Sequence, residues 1–264
     1  MVNYRIIDAH AHIFPDKIAD RAVASIGGFY NMTMLHSGTA AALIRSGSEA
    51  SVEKYLICST ATTVEQVESI NDFIYDECCK HPEFIGLGTL HPNMSDYEKE
   101  IKRVAEMGFK GVKIHPDFQH FYIDDAKMMP LYKMLERYNL LVLCHVGGMK
   151  DDFSSPYRLA NVAKTFPKLT LIAPHFGGWQ QWDEATRYLN LPNVYFDTSS
   201  SLYTLDKRQV LSIFEKLFYK KFFFGTDFPM WDHKEEVNRF LDLELGEEMT
   251  QDILYNNFAK LFLD

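Results

Sequence analysis

Short apolar runs alternate with longer amphipathic stretches along nearly the whole chain. The runs at 6–12, 55–58, 84–90, 111–115, 140–145, 169–175, 193–198 and 222–227 are rich in branched and aromatic side chains and read as buried strands. Between them the apolar spacing widens to the helical period: Leu131, Met134, Leu135 and Tyr138 fall on one face. Thr63 with Gln66, and Ser95 with Glu98, have capping-box spacing and open helices that end near 81–82 and at Gly108. Further helices are predicted at 157–165, 183–189, 206–219, 235–243 and 250–261. The segment 14–51 is too long for a simple connection; it has helical stretches interrupted at Gly27-Gly28 and is expected to fold over one end of the core.

Eight strands alternating with helices imply parallel pairing through right-handed crossovers, and the count favours a closed (β/α)8 barrel, the TIM barrel, over an open sheet. A chain of 264 residues, 47% hydrophobic, can bury such a core. The expectation is one domain, 1–264, with an insertion after strand 1 and extra C-terminal helices. A formal net charge of -9 disfavours nucleic acid and anionic membrane as partners, leaving a small-molecule substrate. No apolar run reaches the length of a membrane span, and the first residues run into a strand rather than a signal peptide, so a cytoplasmic location is expected. Cys58, Cys78, Cys79 and Cys144 lack paired metal-ligand spacing and read as free thiols. A homo-oligomer is compatible with such a barrel.

Chemistry concentrates at the strand ends. His10 and His12, two apart on the first strand, point to one face, and Asp8 shares their parity. Lys113 and His115 end the fourth strand, His145 the fifth, His175 the sixth, Asp197 the seventh and Asp227 the eighth. His115, His145 and His175 follow one another at intervals of 30 residues, as do Asp197 and Asp227. A barrel gathers those ends on its C-terminal rim, where imidazoles and carboxylates make a ligand set for zinc or another divalent metal. His36, His81, His91, His120 and His233 read as ordinary, His120 being the first exception to consider.

The motifs Ile-Asp-Ala-His-Ala-His, Lys-Ile-His-Pro at 113–116, Cys-His-Val-Gly-Gly at 144–148, Pro-His-Phe-Gly-Gly at 174–178 and Gly-Thr-Asp-Phe-Pro at 225–229 resemble the amidohydrolase superfamily. More narrowly they resemble the branch with aminocarboxymuconate-semialdehyde decarboxylase. The resemblance implies that His10, His12, His145 and Asp227 hold a metal, most simply Zn, and that His175 sits beside its bound water. A metal with an open position supplies hydroxide near neutral pH, and Asp227 would take and pass on a proton. Asp8 is either an acceptor behind a ligand imidazole or a strand carboxylate held by backbone donors.

Lys113 departs from the mononuclear decarboxylase pattern. Binuclear relatives resembling phosphotriesterase carry a carboxylated lysine there, and with it the set would hold two ions, His145 and His175 on the second. The alternative is an ammonium that binds a substrate carboxylate or closes the barrel interior. His115, Arg158, Trp179 and Trp231 are candidates for substrate contact, with Lys150 and Tyr157 beside Arg158. Gly147-Gly148 and Gly177-Gly178 either allow close backbone approach or serve as connections. The leading expectation is a metal-dependent hydrolase cleaving an amide, lactone or ester bond of a small polar molecule, with or without a carboxylate. A non-oxidative decarboxylase is the alternative. A nuclease resembling the TatD group fits less well, because an acidic residue belongs where Lys113 stands, and a metabolite-binding barrel without catalysis would lack a ligand.

Overall fold

A computed structural model describes residues 4–148 and 152–263. Eight parallel strands form the barrel: β1 (Ile6–His12), β2 (Val52–Cys58), β3 (Phe84–Gly86, resumed after Leu87 as Gly88–Thr89), β4 (Gly111–Ile114), β5 (Leu141–Cys144), β6 (Leu171–Ala173), β7 (Val194–Asp197) and β8 (Phe222–Phe223). Neighbours in sequence pair throughout, as crossover connections require. Across the interruption at Leu87, Leu87 N donates to Ile57 O at 2.9 Å and Lys110 N to Gly86 O at 3.3 Å. The ring closes where Ala9 N donates to Phe224 O (2.8 Å), Asp227 N to His10 O (2.8 Å) and His12 N to Phe228 O (2.7 Å). The first and last strands therefore meet at the residues of chemical interest.

Strand alternation sorts the core into two shells. Ile7, Ala9, Leu56, Leu143, Ile172 and Phe223 face inward, joined by Phe258 and Phe262 of the last helix, α12 (Asn257–Phe262). Their outward neighbours, among them Val112, Val142, Leu171 and Phe196, pack against the helices. Before α12 run α1 (Asp16–Tyr30), α2 (Ala40–Glu49), α3 (Val67–Lys80), α4 (Tyr97–Glu106), α5 (Pro116–Gln119), α6 (Met129–Arg137), α7 (Pro156–Thr165), α8 (Trp182–Tyr188), α9 (Lys207–Leu217), α10 (His233–Leu241) and α11 (Glu247–Gln251).

Several details differ from the sequence reading. Gly27-Gly28 does not break the first insertion helix: α1 runs through it to Tyr30. A Cβ on Gly27 would lie 2.9 Å from Met32 O, so close return of the chain explains the glycine. Gln66 Oε1 accepts from the backbone N of Thr62 (2.8 Å) and Thr63 (3.3 Å), as the first capping box requires. The second does not form, since α4 begins after Asp96 with no side-chain cap. The helix expected at 250–261 is divided by a π turn, Asp252–Asn256. Register shifts in β1 between Asp8 and Ala11 overturn the parity argument for Asp8, while His10 and His12 keep one face. The two histidines turn into the barrel mouth while Asp8 turns to the helix layer.

Candidate metal centre

Three donors converge at the seam between the first and last strands. His10 Nε2 lies 3.2 Å from His12 Nε2, His12 Nε2 3.2 Å from Asp227 Oδ1, and His10 Nε2 3.7 Å from the same oxygen. Ligands bound tetrahedrally at about 2.0–2.1 Å stand roughly 3.4 Å apart, so the triad fits one divalent ion. Lys113 Nζ, 3.2 Å from His10 Nε2, occupies a further side of the same space. Cys58 is also near His10 and His12, but its Sγ faces His12 Nδ1 (3.5 Å) and Ala11 O, away from the convergent nitrogens.

The ligand atoms are held from behind. His10 Nδ1 donates to Asp197 Oδ2 at 2.9 Å, which leaves the Nε2 lone pair facing inward. Asp197 is fully buried; its other oxygen accepts the backbone N of His175 (3.1 Å) and Ser199 (3.0 Å). Burial alone would raise its carboxyl, but His10, His175 and the Ser199 hydroxyl outweigh it and hold it below the carboxylate range. Asp227 behaves likewise: burial is outweighed by His10, His12 and His175. Its outer oxygen, Oδ2, accepts the Ser200 hydroxyl at 2.6 Å, and Ser200 Oγ accepts Trp231 Nε1 at 3.0 Å.

A second imidazole group adjoins the triad. His175 Nε2 is 3.3 Å from His145 Nδ1, while His145 Nε2 is 3.0 Å from Gly147 O. His115 stacks on His145 with centroids 4.0 Å apart, and Tyr30 Oη reaches His115 Nε2 at 2.8 Å. Burial pushes His115 and His145 well below the ordinary histidine value and His175 down to about 4, so these rings are neutral. Burial acts the same way on His12, but Cys58 and Asp227 outweigh it and push that ring up to about 9.

These groups line one end of a cavity of about 1000 Å³. His10, His12, Lys113, His115, His145, His175 and Asp227 all face it, as does Trp179, whereas Trp231 reaches it through Ser200. Gly147, at φ +92, lets the Trp179 backbone approach so closely that a Cβ would lie 2.3 Å from Trp179 N. Arg158 is elsewhere: its guanidinium pairs with Asp124 and Asp152, and Tyr157 Oη also donates to Asp152. Lys150 lies outside the described residues.

The sequence places Asp197 on the rim without a separate role, and it does not single out Ser199, Ser200 or Tyr30. The run Thr198-Ser199-Ser200-Ser201 directly after a strand end is a signal for the two serines; nothing local distinguishes Tyr30. Asp8 is not behind a metal-facing ring. It accepts the backbone N of His10 and Thr226, both at 3.0 Å, and pairs with His233 Nε2 at 3.0 Å, while His233 Nδ1 meets Ser46 Oγ at 2.8 Å. His233 is thus a buried, hydrogen-bonded core histidine apart from the metal-facing rings.

A parallel eight-stranded barrel with a histidine and carboxylate cluster at its C-terminal rim defines a class of metal-dependent TIM-barrel enzymes. The chain belongs to the amidohydrolase family, whose model matches residues 7–263. Solved structures share the fold at low identity. An uncharacterized TIM-barrel protein from Bordetella bronchiseptica matches with a TM-score of 0.82 at 19% identity, over 98% of each chain. A dihydroxybenzoic acid decarboxylase from Polaromonas, with bound manganese and the inhibitor 2-nitroresorcinol, gives 0.77 at 16% over 99% of this chain and 97% of the other. The 5-carboxyvanillate decarboxylase of Sphingomonas paucimobilis gives 0.73 at 16% over 99% of each. No helix among the described residues is long and apolar enough to cross a membrane.

Proposed function

We propose that the whole chain acts as one catalytic domain, a metal-dependent, non-oxidative decarboxylase of a small carboxylic acid. The observation that carries this is the Ser200 hydroxyl on Asp227 Oδ2 at 2.6 Å. Hydrolysis through Asp227 asks that outer oxygen to take a proton, and with the Ser200 hydroxyl on it and the carboxyl held low it is a weak base for that step. The decarboxylases among structures of the same fold support the same choice.

His10, His12 and Asp227 would hold one divalent ion, zinc or manganese by their mixed nitrogen and oxygen donors. When bound, the ion supplies a positive centre for the substrate carboxylate and a neighbouring oxygen. Lys113, only 1% exposed, adds a second positive charge beside it. His115, Trp179 and Tyr30 form the wall against which the ring or chain of the acid lies. In the reaction the bond from carbon to carboxylate breaks, carbon dioxide leaves, and the electron pair on carbon takes a proton. His175 is placed to deliver it, and an anionic substrate would raise its low affinity for that proton. His145 orients His175.

Hydrolysis of an amide, lactone or ester is the second reading, favoured by Lys113 beside His10, where a carboxylated lysine would bridge two ions. Incubating the metal-loaded protein in D2O with a panel of hydroxybenzoates, and in parallel with aryl esters and lactones of similar size, separates the two. Carbon dioxide release with one deuterium at the vacated carbon is expected. Ester or lactone cleavage without carbon dioxide, together with two ions per chain that fall in Lys113→Ala, would replace this reading with the hydrolytic one.

A further inference from the structure

The cavity is much longer than the polar centre needs. Beyond the histidines it continues between α1 and α3, where Ile18, Ala22 and Ile26 form one wall and Ile70 and Phe73 the other. The first three recur every four residues, so they make a stripe along one side of α1. None of them belongs to either hydrophobic core cluster, and only Ala19 and Val23 of that helix are buried. An insertion helix that keeps its apolar stripe out of the core and turned to a cavity leaves that surface for an apolar occupant. At the inner end the same helix delivers Tyr30 to His115, so the apolar arm and the polar centre are continuous. Lys17 and Arg21 on one side, and Asp72 and Asp76 on the other, mark the outer rim.

We infer that the natural substrate is an acid with an apolar tail, an alkyl or aryl-alkyl chain several carbons long. Its carboxylated head sits at the histidine cluster and its tail lies between α1 and α3. The identity of the head rests on the decarboxylase reading; the tail site does not. The competing account is that α1 swings onto α3 and closes the arm, Lys17 and Arg21 pairing with Asp72 and Asp76, so that a short acid fills the site.

The test is a series of 2-hydroxybenzoates carrying straight alkyl chains from methyl to hexyl at the 4 or 5 position, given to the metal-loaded protein with carbon dioxide release as readout. Each buried methylene should raise kcat/KM by about threefold to fourfold over the first members. Ala22→Trp, which fills the arm from α1, and Ile70→Ser, which makes the opposite wall polar, should each flatten that dependence, thermal melts confirming that both fold. Turnover of the parent acid with a flat or falling dependence on chain length would overturn the tail site and leave the decarboxylase reading standing. If no member releases carbon dioxide, that reading fails instead. The tail site is then judged by calorimetric titration with butanoate through decanoate. Affinity that climbs with chain length in the wild type but not in Ala22→Trp upholds it, and equal affinities along the series overturn it.

Discussion

Asp227 and His175 both hold left-handed backbone, at φ 62 and 60, a conformation that costs a non-glycine residue of order 1 kcal/mol or more. Each is over-determined by neighbours: Asp227 N donates to His10 O, and His175 N to Asp197. Asp197 therefore serves two site residues at once, fixing the His10 ring and the His175 backbone. Asp197→Asn should weaken metal affinity by about 10–100-fold while the far-ultraviolet spectrum stays native. Competition titration with a chromophoric chelator measures it, and unchanged affinity would remove Asp197 from behind the ligand. A different carboxylate controls stability. Burial pushes Glu236 up to about 7 against the pull of Arg239, and its Oε2 has no hydrogen-bond partner among the described residues. A folded value above the unfolded one, about 4.5, means that the folded chain holds more protons between pH 4.5 and 7. Stability is then full below that window and falls as pH rises through it, by up to about 1.4 kcal/mol per unit. Urea unfolding of Glu236→Gln should lack that part of the decline; parallel profiles for the two proteins would show that Glu236 is ionised throughout.

At the level of elements, strand pairing leaves little room where β4 starts. A Cβ on Gly111 would lie 2.1 Å from Leu141 O, a backbone atom of the adjacent strand that cannot rotate away. Gly111→Ala should cost about 3 kcal/mol or more, read as a lower urea midpoint at unchanged slope, because the two strands must separate. A cost below about 1 kcal/mol would mean that the pairing yields easily. The eight strands were legible in the sequence because each is a short apolar run, and all but the second and third end in a polar residue. The insertion was not: α1 runs through Gly27-Gly28 because the return of Met32 over Gly27 overrides the modest penalty of glycine in a helix. The shared face given to Asp8 fails for a related reason, since period-two alternation does not survive the register shift in β1, while its other reading, a strand carboxylate held by backbone donors, is the one the structure shows. Strand-end position puts His10, His12, Lys113 and Asp227 at the barrel mouth, whereas their individual metal roles came from the resemblance. Their supports, Asp197, Ser199 and Ser200, lie 187 to 190 residues from His10 along the chain, and no local pattern links them.

For the whole molecule, the centre lies on the seam where the barrel closes. His10 and His12 come from the first strand, Asp227 follows the last, and the two are otherwise joined by backbone bonds such as Asp227 N to His10 O and by the Asp8 carboxylate, which accepts from Thr226. An ion held by all three would act as a clasp between the two ends of the fold. It would also bring together His12, pushed up to about 9, and the low Asp227 carboxyl by displacing the proton between them. An ion that binds the folded chain alone stabilises it by about 2.7 kcal/mol at one hundred times its Kd. For a barrel of this size that corresponds to a rise in Tm of roughly 5–10 °C. Chelated protein should therefore melt lower by that amount, recover with zinc or manganese, and lose the response in His10→Ala and in Asp227→Asn. Lys113→Met should keep the response, because an ammonium is no part of the clasp. Loss of the metal response in Lys113→Met alone would instead place the lysine among the ligands and return the centre to the two-ion form.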